Sequence, residues 1–291
     1  MKKAGFALVV SALISVGPAR AADLPSLAAP LVIPPAAPAS WTGFHVGVNV
    51  GGAWSDARNV SHGSVDLFDD PLWLPGVTFA ASATGALRNS GGAGFIGGGQ
   101  AGYDHQLGHN LLVGLEADIQ ALSSGAGGGR GAGAAFNALT GSWATTATEV
   151  RQTIDYIGTA RGRIGYLVTP DLLAYATGGL AYGGLRLSAS QASFDQLGFY
   201  GPGAGGASFD DTRVGWTVGG GGEWMFAPKW SASLNYLYYD LGSATTIVGP
   251  VSGVAFTFNM PPGAIGWTYA TAVSSRFDGH IVRAGLNYHF D

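Results

Sequence analysis

Between Leu111 and Gln120 the chain alternates in polarity. Leu111, Val113, Leu115, Ala117 and Ile119 are apolar, and Gly114, Glu116, Asp118 and Gln120 fall between them. Side chains alternate faces along a strand, so this run predicts a strand with one apolar face and one face carrying two carboxylates. A helix would gather Leu112, Leu115, Glu116 and Ile119 on one side and bury a charge. The run from Tyr156 to Tyr166 alternates too: Tyr156, Gly158, Ala160, Gly162, Ile164 and Tyr166 share one face, and Thr159, Arg161 and Arg163 the other. If the two strands are antiparallel neighbours, one register sets Asp118 opposite Arg161 and Glu116 opposite Arg163, and opposite charges attract across a sheet. The polar faces then look at each other inside, and the apolar faces look out. That is the pattern of a membrane β-barrel.

Six further segments carry the same alternation. The first, from Trp41 to Trp54, sets Phe44, Val46, Val48 and Val50 against His45, Gly47 and Asn49. The second, about 95–106, puts Gly97, Gly99, Ala101 and Tyr103 outward and Gln100, Gly102 and Asp104 inward. In the fifth, about 172–187, Leu180 and Tyr182 are assigned outward and Tyr175 and Thr177 inward. The sixth, 213–226, places Glu223 inward, the seventh, 230–241, places Ser231, Ser233 and Asn235 inward, and the eighth, 280–290, places Arg283, Asn287 and His289 inward. Each is long enough for the ~9–11 residues of a tilted membrane strand. The expectation is all-β: an eight-stranded antiparallel up-and-down transmembrane β-barrel spanning 41–291. Short turns fall at 107–110, 169–171 and 227–229, and long glycine- and serine-rich connections at 55–94, 122–151, 188–212 and 242–279, which are read as four extracellular loops. Trp41, Tyr103, Tyr166, Trp224, Trp230 and Tyr288 near the turns, with Trp54 and Tyr238 near the loops, suit aromatic girdles at the two membrane interfaces.

Composition sharpens this. Of 291 residues 49 are glycine, against about 7% in average proteins. Only 11% are charged, yet no apolar run reaches the ~18 residues of a spanning helix. With no cysteine, disulfides and thiolate chemistry are excluded. Lys2 and Lys3, an apolar stretch from Phe6 to Val16, and Ala19-Arg20-Ala21 read as an export signal, 1–21, cleaved between Ala21 and Ala22. Without residues 1–21 the chain holds 11 basic and 18 acidic residues, net −7, and Lys229 is its only lysine. Such a chain has no basic patch for nucleic acid. Residues 22–40, with Pro25, Pro30, Pro34, Pro35 and Pro38, read as an extended periplasmic arm.

The ordered motifs resemble a known family. Ala22-Asp23-Leu24-Pro25, Trp41-Thr42-Gly43-Phe44, Gly94-Phe95-Ile96-Gly97-Gly98, Leu115-Glu116-Ala117-Asp118, Gly162-Arg163-Ile164-Gly165-Tyr166, Gly215-Trp216-Thr217-Val218-Gly219, Tyr236-Leu237-Tyr238-Tyr239-Asp240 and Val282-Arg283-Ala284-Gly285-Leu286-Asn287-Tyr288 are similar to the small alphaproteobacterial outer-membrane proteins of the porin-like, outer-membrane immunogenic protein family, relatives of opacity-protein and OmpA-type barrels. The resemblance implies a non-enzymatic barrel of the bacterial outer membrane that supports envelope integrity and presents surface loops. Its implied partners are outer-membrane lipid, the barrel assembly machinery and periplasmic chaperones. The family usually ends on an aromatic residue that the assembly machinery reads. Tyr288 and Phe290 supply that signal here, although Asp291 follows Phe290.

Candidate chemistry is sparse. The runs Gly127-Gly128-Gly129-Arg130-Gly131 and Gly219 to Gly222 lack the lysine and hydroxyl residue of a phosphate cradle. His280 is the only histidine near the rim strands, with Ser274 and Ser275 nearby but no base and orienter in reach, so no catalytic, cofactor or metal residues are assigned. The strongest constellation is a barrel-interior charge layer: Glu116, Asp118 and Glu223 against Arg161, Arg163 and Arg283. Counted from the turns, all six lie at a similar height. An eight-stranded barrel is just wide enough for side chains to fill, which favours a salt-bridged plug over a charged constriction in a narrow porin. Loops such as Phe194 to Tyr200 could instead contact host, phage or cell-surface ligands.

Overall fold

The computed structural model describes residues 40–55, 60–68, 75–124, 127–256 and 264–290. The export signal with Ala21 and Ala22, the arm up to residue 39, and Asp291 lie outside the described residues. Eight strands form a closed antiparallel ring: β1 (Gly43–Ser55), β4 (Ala93–Leu107), β5 (Leu111–Ser124), β7 (Ser142–Thr169), β8 (Leu172–Asp195), β9 (Gly203–Ala227), β10 (Trp230–Phe256) and β11 (Ala264–His289). Each pairs with the next, and β11 returns to β1. Closure removes sheet edges at the level of the membrane, where lipid leaves no other partner for the backbone.

Through the middle of the ring each strand turns its apolar residues outward. Phe44, Val48, Leu115, Ile164, Leu180, Val214 and Leu234 are 55–71% exposed, while Asn49, Asp104, Thr159, Thr217 and Asn287 on the opposite faces are buried. The fifth sequence segment, within β8, follows its expected facing: Leu180 is outside, and Tyr175 and Thr177 are inside. The three short turns are hairpins between β4 and β5, β7 and β8, and β9 and β10.

The long connections differ from the expectation of four loops. β7, β8, β9, β10 and β11 run 24–28 residues, far beyond the apolar band. β6 (Gly127–Asn137) pairs with the distal half of β7, β2 (Val60–Phe68) with the distal half of β11, and β3 (Leu87–Ser90) with β6. Helix α1 (Pro75–Ala83) completes the unit, opening on a proline whose fixed φ and missing N–H suit a first helical turn. Sheet pairing satisfies the backbone whatever the side chains are, so segments rich in glycine and serine continue as strand where a partner is available.

Two apolar clusters lie within the ring and its extension. Trp41, Leu112, Leu167, Leu173, Tyr175 and Met225 are all buried at the turn end. At the other end Ala53, Ile96, Ile157, Leu237 and Ile281 lead into a larger core around Phe79, Trp267, Tyr269 and Tyr200. Phe79 stacks on Trp267 with centroids 4.1 Å apart.

Trp41 therefore departs from the girdle expected of it. It is 1% exposed, and its Nε1 donates to the Pro170 carbonyl at 2.9 Å. A tryptophan preceding the first strand can fold under the barrel, where a large apolar cross-section needs filling. The other aromatics near the turns keep outward positions: Tyr103, Tyr166, Trp224 and Trp230 are 41–57% exposed, and Trp230 packs edge-on to Tyr288.

Candidate functional site: a charged layer across the barrel

The six charged residues of the expected layer meet inside the barrel, all at most 6% exposed. β5 supplies Glu116 and Asp118, β7 supplies Arg161 and Arg163, β9 supplies Glu223 and β11 supplies Arg283. Inward alternation puts them there, since residues two apart on one strand share a face. The register differs from the expected one: Glu116 stands opposite Arg161, Asp118 opposite Thr159, and Gly114 opposite Arg163. Faces are preserved because the slip is two residues, an even number. The charges alone are compatible with either register, and the hairpin that joins β4 to β5 carries no information about β7.

Arg161 is the hub on one side. Its Nη2 donates to Glu116 and, at 2.8 Å, to Asp118 Oδ2. Arg283 Nη2 reaches the same Asp118 oxygen at 2.9 Å and Glu116 Oε1 at 3.4 Å. Thr159 Oγ1 also donates to Asp118 at 2.8 Å. On the other side Arg163 Nη2 donates to Glu223 Oε2 at 2.8 Å and Nη1 to Glu116 Oε2 at 3.4 Å. Its guanidinium lies 4.3 Å from the centroid of the Tyr175 ring. Glu223 Oε1 accepts from Ser231 at 2.5 Å and from Asn287 at 2.7 Å. A neutral amide chain, Asn49 to Gln100 to Asn287, ties the acids into the next polar tier at 2.9 and 2.6 Å.

The layer is also larger than six. Asp104 is fully buried, with Oδ1 3.4 Å from Arg163 Nε and Oδ2 3.5 Å from His45 Nδ1. His45 Nε2 lies 3.9 Å from Glu116, and His289 Nε2 3.4 Å from Glu223. Four carboxylates thus face three arginines and two histidines. Alternation already turns Asp104 and His45 inward; their membership comes from the pairing of β1 with β4 and from Arg163 reaching across β5 from β7. Room for these groups is made by inward glycines. A Cβ on Gly114 would sit 2.0 Å from Asp104 Oδ1, and one on Gly102 2.6 Å from the His45 ring and 2.7 Å from the Leu115 carbonyl oxygen.

Of the expected assembly signal, Phe290 is 46% exposed, packs edge-on to Tyr288 and donates its N–H to the Phe44 carbonyl at 2.7 Å. His280 lies on the outward face of β11, with its Nδ1 2.7 Å from the Tyr236 hydroxyl and its ring stacked on Trp54. Ser275 is buried and donates to Gln152. His280 and the neighbouring serines do not converge.

A closed ring with lipid-facing apolar residues and a salt-bridged polar interior defines a transmembrane β-barrel protein. Comparison with known sequences makes the assignment specific. The chain belongs to the outer membrane protein beta-barrel domain family, whose model matches residues 24–290. It is 32% identical over 264 residues to the 31 kDa outer-membrane immunogenic proteins of Brucella melitensis and Brucella suis, covering 88% of this chain and 88% of each relative. Among solved structures it overlays on the outer membrane protein OprG of Pseudomonas aeruginosa at 10% identity and a TM-score of 0.35, covering 87% of this chain and 99% of that one.

Proposed function

We propose that this protein is a non-enzymatic structural barrel of the bacterial outer membrane that supports envelope integrity and holds a rigid β-unit at the cell surface. The observation that carries this reading is the filling of the barrel interior at three heights. An apolar floor under Trp41 is followed by the charge layer and then by an apolar tier at Ile96, Ile157, Leu237 and Ile281. Buried charges cost several kcal/mol each unless paired, and here they pair with one another across the lumen. Side chains that bond across a lumen occupy the path a solute would take.

Export follows from the N-terminal signal, with cleavage between Ala21 and Ala22, and N-terminal sequencing of protein from outer membranes should begin at Ala22. Tyr288 and Phe290 act as the signal for the barrel assembly machinery. The proposed outward display of the distal β-unit agrees with the immunogenic naming of the Brucella relatives. Refolded protein in sugar-loaded liposomes tests the closed interior. Swelling rates should match those of protein-free liposomes, and size-dependent sugar uptake would favour the porin reading instead.

A further inference from the structure

Four charged residues share one outward face just beyond the apolar band. Arg88 on β3 stands directly opposite Arg130 on β6, and Arg130 stands opposite Glu149 on β7. Arg151 lies two residues along β7, on the same face as Glu149. Arg130 Nη2 and Arg151 Nε both donate to Glu149 Oε1, at 2.6 and 2.7 Å. Arg88 makes no ion pair among the described residues. Two guanidinium groups therefore hold one carboxylate, and a third, Arg88, stands beside Arg130 in the same row.

This excess has no counterpart among the other described arginines of the outer face. Arg186 has Asp155 and Asp210, Arg213 has Asp211, and Arg276 has Asp240. Like charges placed directly opposite on neighbouring strands destabilise a sheet, so the Arg88–Arg130 pair works against the fold in a chain of net charge −4. The Glu149 carboxyl, hydrogen-bonded by Arg130 and Arg151, is held below the usual carboxylate range. It stays ionised and still leaves two positive charges unmatched. The three arginines line a hollow of about 340 Å³ floored by Gly127, Gly128 and Gly129. No side chain rises from that floor, so an anion can approach the guanidinium groups closely.

The height of the cluster narrows the ligand. Arg151 lies five residues beyond Tyr156, where the outward apolar face of β7 ends. At ~3.3 Å per residue that is about 16 Å along a tilted strand, and arginine side chains bridge several ångströms more. Side chains directed back toward the bilayer bring the guanidinium groups within reach of the outer-leaflet headgroups, a layer of roughly 5–8 Å. Guanidinium groups bind phosphate oxygens in bidentate fashion, and a phosphomonoester carries enough charge to neutralise the excess.

We propose that Arg88, Arg130 and Arg151 form a phosphate-binding site on the outside of the barrel, matched to a phosphorylated lipid headgroup. The site lies outside the lumen and is independent of whether the barrel conducts. The test uses the full mature chain refolded in zwitterionic micelles, and native mass spectrometry reads retained phosphatidic acid. The parent protein should retain it. R88Q/R130Q/R151Q should retain at least tenfold less while keeping the heat-modifiable gel mobility of a folded barrel. E149Q removes the internal competitor and should retain several-fold more. Competition with inorganic phosphate separates the sources: resistance assigns the site to the lipid, and displacement at equal concentration assigns it to free phosphate. Equal retention by the parent and the triple variant, or none by the parent, overturns the proposal.

Discussion

β11 contains two environments joined without a break in alternation. In its membrane half Val282, Ala284 and Leu286 point out, and Arg283, Asn287 and His289 point in. In its distal half Trp267, Tyr269, Val273 and Phe277 point in, at most 2% exposed, and Arg276 points out. The inward set is the odd-numbered set from one end to the other. What inverts is the polarity, and it inverts near Ile281, where the surroundings of the strand change from lipid to water. β8 does the same: Leu180 faces out within the membrane band, and Leu185 and Leu187 face in above it, fully buried. One backbone geometry serves two solvents. Side chains that suit the surroundings take the outer face, and the inner face must satisfy itself. In the membrane half it does so with ion pairs, and in the distal half with aromatic packing.

The two halves should therefore break differently. The largest effect is expected in the membrane half. Arg163→Ala leaves Glu223 and Asp104 buried without their counter-charge, which typically costs ~3–5 kcal/mol. Adding Glu223→Ala should restore part of that loss, so the double change falls short of the sum of the singles in urea unfolding of the refolded barrel. Strict additivity would mean that the two do not act as a pair. The partner at 2.8 Å makes Arg163–Glu223 the tight pair, whereas Glu116 shares three arginines.

In the distal half Trp267→Ala removes the ring stacked between Phe79 and Tyr269 and should cost about 3 kcal/mol. That loss stays local. Protease added to the folded variant should cut within β2, α1 or the distal strands, while the membrane half remains protected. Loss of the whole barrel would contradict the separation of the two environments.

How much of this was legible in the chain follows from the same comparison. Alternation identifies all eight membrane strands, their facing and the six charged residues, because charged side chains on the lipid face are costly. The distal strands look like loops in the sequence because many of their positions are Gly, Ser, Thr and Ala, which dilute the apolar alternation that residues such as Trp267, Tyr269, Val273 and Phe277 carry. The pairing of Glu116 with Arg161 was missed because a two-residue slip keeps every face. Asp104 alternates inward, but its place in the layer depends on His45 of β1 and on Arg163 reaching across β5, which alternation along one strand does not give. Trp41 looked interfacial because nothing local distinguishes a tryptophan beside lipid from one tucked under a barrel.

Smaller effects sharpen the picture at the ends. Trp41→Phe keeps most of the apolar floor but loses the hydrogen bond to Pro170, and should cost about 1 kcal/mol in the same unfolding assay. In the distal half the depressed pKa of Glu149 gives a pH signature. A carboxyl whose folded pKa lies below its unfolded value stabilises the fold above the unfolded pKa and loses that contribution as pH falls through the folded pKa. The small melting-temperature difference between the parent and Glu149→Gln should accordingly close in acid. A difference that widens in acid would contradict the pairing with Arg130 and Arg151.

The filled lumen is the central claim, and single-channel recording in planar bilayers tests it most directly. The parent protein should show no steady conductance. Glu116→Ala with Arg163→Ala, which removes charges from the middle tier, should produce openings or raise leak. A steady, ion-selective conductance in the parent, altered in selectivity but not in magnitude by the double change, would contradict the plug and make the layer a pore lining.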